Sequence, residues 1–141
     1  MELEGRAAIV TGAGTGVGAE TARRLAALGC DVLVNYSRSQ DAAEAVAEEV
    51  RSTGVKAFAH RADVSVDADC RDMVAAAMKQ FGRLDVLVNN AGTTKFVAHA
   101  DLEGLDGEDW DKILGVNLKG SFFCSRAARD ALEAGDGGEI V

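Results

Sequence analysis

The chain has 141 residues, 48% hydrophobic and 27% charged, with 16 glycines, no proline and a formal net charge of -8 at pH 7. A chain of that length is one domain able to bury about two thirds of its unfolded surface, and its composition is that of an ordinary globular fold. The acidic balance with no Lys/Arg cluster excludes nucleic acid as a partner. The start has no basic stretch leading into an apolar one, and no apolar run approaches about 18 residues, so the expectation is a cytoplasmic protein without a membrane span.

Short apolar runs alternate with amphipathic stretches, the pattern of repeated βαβ units on a parallel sheet covered on both faces. A first strand is expected over 6–10, followed by Thr-Gly-Ala-Gly-Thr-Gly-Val-Gly at 11–18 and a helix over 17–28. The helix presents Val17, Ala22, Leu25, Ala26 and Leu28 to the sheet and stops at Gly29. Strand, glycine turn and helix in that order suit the phosphates of a nucleotide. A helix N-terminus offers unpaired N–H groups and a partial positive charge, and glycines let a pyrophosphate reach the main chain. Gly12, Gly14, Thr15, Gly16, Val17 and Gly18 are the candidates for that cradle. Gly14, Gly16 and Ala19 also satisfy the looser G-x-G-x-x-G/A spacing.

The second strand, 31–35, leads to Tyr36, Ser37, Arg38 and Ser39, and then a helix from 40 or 41 to 52 with Gly54 as its stop. In sites built for NAD an acidic residue about 20 positions past the glycines holds the ribose 2′-hydroxyl. Here Asn35, Tyr36, Ser37 and Arg38 stand near that distance, with no carboxylate among them. A hydroxyl and a guanidinium suit a 2′-phosphate, so NADP is favoured over NAD, although an arginine on a solvated loop has the same appearance.

A third strand is expected over 56–60, with Ser65 as N-cap of a helix reaching 80 or 81. Asp63, just past that strand, either accepts a hydrogen bond from an adenine amino group or complements the helix dipole. The fourth strand, 84–88, closes in Asn89-Asn90-Ala91-Gly92. Two asparagines ending a buried strand should tie neighbouring backbone together beside a ligand or contact it. Residues 93–107 read as a loop, 109–132 as one long helix, 135–138 as a break and 139–141 as the start of a fifth strand. Asn117 shares the Ile113 and Ser121 face of the long helix, as a satisfied core amide or a functional one. Cys30, Cys70 and Cys124 lack a C-x-x-C spacing and are expected to be buried, with no disulfide and no metal site.

Together these residues resemble the short-chain dehydrogenase/reductase family over the whole chain. Residues 11–18 match its T-G-x-x-x-G-x-G, Asp63 and Val64 its adenine-binding pair, Asn89, Asn90, Ala91 and Gly92 its N-N-A-G, and Asn117 the asparagine of its long helix. Residues 34–36 and 117–120 look most like 3-oxoacyl-(acyl carrier protein) reductases. The resemblance implies a Rossmann-type, doubly wound α/β sheet, here with strands 1 to 4 and the beginning of a fifth, forming one dinucleotide-binding domain over 1–141. It also implies Asp63, Val64, Asn90, Ala91 and Gly92 as cofactor contacts and Asn117 as the one catalytic residue present, supporting a water relay.

The family's catalytic serine and Tyr-x-x-x-Lys follow the fifth strand. Tyr36 is the single tyrosine here and is followed four residues later by Gln40. The expectation is therefore the front portion of an oxidoreductase that moves hydride between NADP(H) and a small carbonyl or alcohol, with an acyl carrier protein thioester as a candidate substrate and a homo-oligomer, a tetramer, as the assembly. The alternative is a nucleotide-binding module that does no chemistry.

Overall fold

Strands form where the apolar runs fall and helices fill the stretches between, as the computed structural model shows for residues 2–135 and 137–141. The order is β1 (Ala7–Val10), α1 (Gly16–Ala27), β2 (Asp31–Tyr36), α2 (Gln40–Arg51), β3 (Ala57–Arg61), α3 (Asp67–Phe81), β4 (Val86–Val88), α4 (Gly107–Leu114), a π-helical turn (Gly115–Gly120), α5 (Ser121–Glu133) and β5 (Glu139–Ile140). The break expected over 135–138 includes Asp136, which lies outside the described residues.

All strands are parallel and ordered β3-β2-β1-β4-β5. The chain winds outward from β1 to β3 and returns to β4 on the other side of β1, so strand order reverses between β1 and β4. In open α/β sheets that reversal opens the crevice where ligands bind, beyond the strands' C-terminal ends.

Alternation along the strands divides the core between two faces. Ile9, Leu33 and Leu87 pack under α3 and α5 with Met73, Cys124, Ala128 and Leu132. Val10, Val32 and Val34 pack under α1 and α2 with Ala22, Ala26, Val46 and Val50. Cys30, Cys70 and Cys124 are all buried free thiols.

Four expectations need correction. The apolar stripe of α1 is narrower than read: Ala22 and Ala26 are buried, but Val17 is 77% exposed and Leu28 59%. Val17 instead lines an apolar trough with Leu25, Val86, Val88 and Val141. The fourth strand begins at Val86 rather than at 84 because the Asp85 carboxylate accepts the Ala7 N–H at 2.9 Å, taking the place of a ladder carbonyl.

Ser65 is not the cap of α3. Its N–H and hydroxyl both bond the Asp63 carboxylate, at 2.9 and 2.6 Å, and Val66 stands at the N-cap. The expected single long helix is two helices joined by the π turn. Gly120 permits a close approach there, since a Cβ on it would lie 2.7 Å from Val64 Cγ2. Trp110, Leu114, Leu118 and Phe122 form an exposed stripe along this joined element.

Candidate functional site

A cleft of about 580 Å3 opens at the β1/β4 reversal, lined from one end by Gly12, Gly14 and Thr15, along its floor by Asn90, Ala91 and Gly92, and at the far end by Tyr36, Ser37, Arg38, Asp63 and Val64. That volume is in the range of a cofactor pocket. The phosphate loop is shaped by three glycines for three reasons. Gly12 (φ 62°) and Gly16 (φ 57°) adopt the left-handed region that side-chain-bearing residues avoid. A Cβ on Gly12 would also sit 2.9 Å from Ala91 Cα, whereas one on Gly16 would meet no heavy atom within 4 Å, so Gly16 faces open space.

Gly18 serves packing. A Cβ there would collide with Asn90 Nδ2 and lie 2.6 Å from the Gly12 carbonyl oxygen. Thr15 caps α1 with extended backbone and no side-chain cap bond, so the first-turn N–H groups of this twelve-residue helix are left for an anion.

The asparagines hold this loop against the sheet. Asn90 donates from Nδ2 to the carbonyls of Thr11 (2.9 Å) and Gly12 (3.2 Å), and the N–H groups of Asn90 and Ala91 both donate to Thr11 Oγ1 at 3.0 Å. Thr11 Oγ1 in turn donates to the Val88 carbonyl at 3.2 Å. Asn35, buried at the end of β2, accepts the Gly12 N–H at 3.1 Å and donates to the His60 and Ala62 carbonyls. Asn35 is therefore a clamp joining three strand ends rather than a ribose contact. Asn89 donates to Ser125 Oγ at 3.4 Å, while its Oδ1 is buried with no partner among the described residues.

At the far end, Tyr36 belongs both to the α2-side core and to the cleft wall, while Ser37, Arg38 and Ser39 are exposed. Asp63 lines the cleft and uses Oδ1 on Ser65, and its N–H donates to Asp69 at 2.8 Å. His60 lies just behind on β3; burial lowers its pKa, opposed by Asp72 and Asp69, and it does not line the cleft. Among the described residues no group of three or more His, Cys, Asp or Glu could hold a metal ion, and no helix is long and apolar enough to cross a membrane.

Four of the expected site residues lie off the cleft lining. Gly16 opens α1, Gly18 packs behind the loop, Val17 faces the apolar trough, and Asn117 stands on the π turn. Asn117 is exposed on the π turn rather than set on a buried apolar face. Its carboxamide is doubly engaged with the backbone of Thr93: Oδ1 accepts the Thr93 N–H at 2.8 Å and Nδ2 donates to the Thr93 carbonyl at 3.0 Å. Lining residues that the sequence did not single out are Ser39, Ala62, Ser65, Thr93, Asp111, Lys112, Gly115, Val116 and Lys119. The last five come from one helical stretch distant in sequence, which meets the cleft where Gly120 packs close to Val64 and Asn117 bonds Thr93.

The short chain dehydrogenase family model matches residues 6–141. The chain belongs to the short-chain dehydrogenase/reductase family. It is 45% identical over 140 residues to an uncharacterised oxidoreductase of Methylorubrum extorquens, covering 99% of this chain and 54% of that one. It is 44% identical over 119 residues to a 3-oxoacyl-(acyl-carrier-protein) reductase of Staphylococcus epidermidis, covering 84% of this chain and 48% of that one. A crystal structure of a short chain dehydrogenase from Burkholderia cenocepacia in complex with NADP superposes with a TM-score of 0.91 at 38% identity, covering 99% of this chain and 55% of the other. The chain thus spans about half the length of the relatives it matches.

As a member of this family the chain carries a Rossmann-type sheet, and the geometry of its cleft fits a dinucleotide. The first-turn donors of α1 and the open space over Gly16 suit a pyrophosphate. The tip formed by Ser37 and Arg38 carries no acidic side chain to repel a phosphate.

Proposed function

We infer that a protein containing this segment is an NADP(H)-dependent reductase that transfers hydride to a carbonyl, with a 3-oxoacyl thioester, free or on an acyl carrier protein, as the substrate class. The observation that carries the cofactor reading is the end of β2, where Tyr36, Ser37 and Arg38 line the cleft and no carboxylate does. Arg38 would pair with the 2′-phosphate, Gly12, Gly14, Thr15, Gly16, Val17 and Gly18 would cradle the pyrophosphate, Asp63 and Val64 would hold the adenine, and Asn90, Ala91 and Gly92 would floor the nicotinamide half.

When bound, NADPH would supply the hydride to the carbonyl carbon, and the carbonyl oxygen would take one proton, in this chain from water, to give the alcohol. Asn117 has both ends of its carboxamide committed to Thr93, so its part is to fix the segment after Gly92 against the π turn. The 141 residues hold no Tyr-x-x-x-Lys, since Tyr36 is followed at the fourth place by Gln40. That favours, as second reading for this stretch taken alone, binding of the dinucleotide without turnover.

The exposed stripe of Trp110, Leu114, Leu118 and Phe122 supports a homo-oligomer, a tetramer by likeness to the family. Replacing Arg38 with Asp tests the cofactor reading. NADPH affinity should fall about tenfold or more while NADH affinity holds or rises. An unaltered ratio of the two affinities would refute it.

A further inference from the structure

Most arginines of this acidic chain sit on carboxylates: Arg6 and Arg83 on Asp85, Arg23 on Glu49, Arg51 on Glu48, Arg71 and Arg126 on Asp67. Two at the β2 tip do not. Among the described residues neither Arg38 nor Arg61 has a carboxylate within 4.0 Å.

Arg61 ends β3 in register with Tyr36, and strand alternation puts it on the α2 side with Ala57 and Ala59. Its Nε donates to the Ser37 carbonyl at 3.2 Å, across the same short loop whose other side lines the cleft. Arg61 thus reaches the residue next to Arg38 in the loop, and neither arginine has an ion-pair partner among the described residues, while carboxylates pair the chain's other arginines. A phosphate dianion bound at this loop would supply the missing partner.

We propose that Arg61 is a second cation of the subsite for the 2′-phosphate of NADP, setting the Ser37 carbonyl and adding its charge to that of Arg38. The inference rests on the NADP reading above and extends it to a residue outside the lining of the cleft. Arg61 is a positioning residue with an electrostatic effect of its own, so it acts on the 2′-phosphate and not on the rest of the dinucleotide.

The test uses the full chain and two half-ligands, adenosine 2′,5′-bisphosphate and adenosine 5′-phosphate, titrated by calorimetry at low and moderate salt. Arg61→Gln should weaken the bisphosphate about three- to tenfold, leave the monophosphate unchanged and flatten the salt dependence of bisphosphate binding. Arg61→Lys, which keeps the charge, should recover most of that loss. Equal weakening of both ligands by Arg61→Gln would show a loop brace without a phosphate role, and no effect on either would show a bystander; both outcomes overturn the proposal. If Arg38→Gln abolishes discrimination between the ligands and Arg61→Gln leaves it unchanged, the NADP reading stands and the Arg61 inference falls. If the unmodified chain binds the two ligands alike, the NADP reading fails and the inference fails with it.

Discussion

Gly18→Ala adds one methyl group where the phosphate loop packs against the end of β4. An ideal Cβ there would lie 2.6 Å from the Gly12 carbonyl oxygen and 3.0 Å from Ala13 Cα, both main-chain atoms, and would collide with the Asn90 carboxamide. Overpacking of that kind costs about 1–3 kcal/mol. If Asn90 swings away, its bonds to the Thr11 and Gly12 carbonyls go too, each contributing about 1 kcal/mol net. A loss of about 2–4 kcal/mol should move the urea midpoint down by about 1–2 M.

NADPH affinity should fall about tenfold, because the loop N–H groups are no longer aimed at one point. Gly16→Ala is the control. It meets no atom, and its cost is only that of holding alanine at φ 57°, about 1–2 kcal/mol. Gly16→Val should abolish dinucleotide binding while most of the helix content survives. Equilibrium unfolding by circular dichroism and fluorescence titration of NADPH measure both quantities. A Gly18→Ala chain as stable as the parent, with unchanged NADPH affinity, would refute the packing argument.

Burial pushes the Asp85 carboxyl up, but hydrogen bonds from Arg83, the Ala7 N–H and Arg6 outweigh it and hold the group below the ordinary carboxylate value. Its stabilisation is thus in full force above the unfolded value of about 3.9 and is lost as pH falls through the folded value. Asp85→Asn should flatten that acid limb in urea melts taken across the acid range. Gly120→Ala should push the π turn off Val64 and cost about 1–3 kcal/mol, with weaker binding of adenosine 5′-phosphate as the second readout. Asn117→Ala should cost about 1 kcal/mol, since its partners can be rewetted, and loosen the Thr93 backbone to hydrogen exchange; protection unchanged at Thr93 would count against its positioning role.

The three cysteines should resist a thiol reagent in the folded chain and all react on unfolding. Each is buried; burial, with Asp31 and Asp85 nearby, raises the Cys30 thiol to about 12, and the contact with Cys70 raises Cys124 further still.

Sequence order alone determined the elements whose chemistry is local. The apolar runs became β1, β2, β3 and β4, residues 11–18 became the turn into α1, and the absence of an acid at 36–38 was legible because each signal sits within a few neighbouring residues. The buried cysteines followed from composition.

Only the tertiary structure decided what depends on partners far along the chain. Asn35 became a clamp because the ladder sets it against Gly12, His60 and Ala62. Asp85 shortened β4 because Ala7 of β1 offered it an N–H and the preceding Arg6 a guanidinium. Arg61 met Ser37 through the register of β2 with β3. The long helix is divided by a π turn, at which Gly120 lies close against Val64 and Asn117 bonds Thr93 instead of entering a core. Periodicity specifies which way a side chain faces along its own element; which group it meets is fixed only when strand pairing and helix packing bring distant segments within a few ångströms.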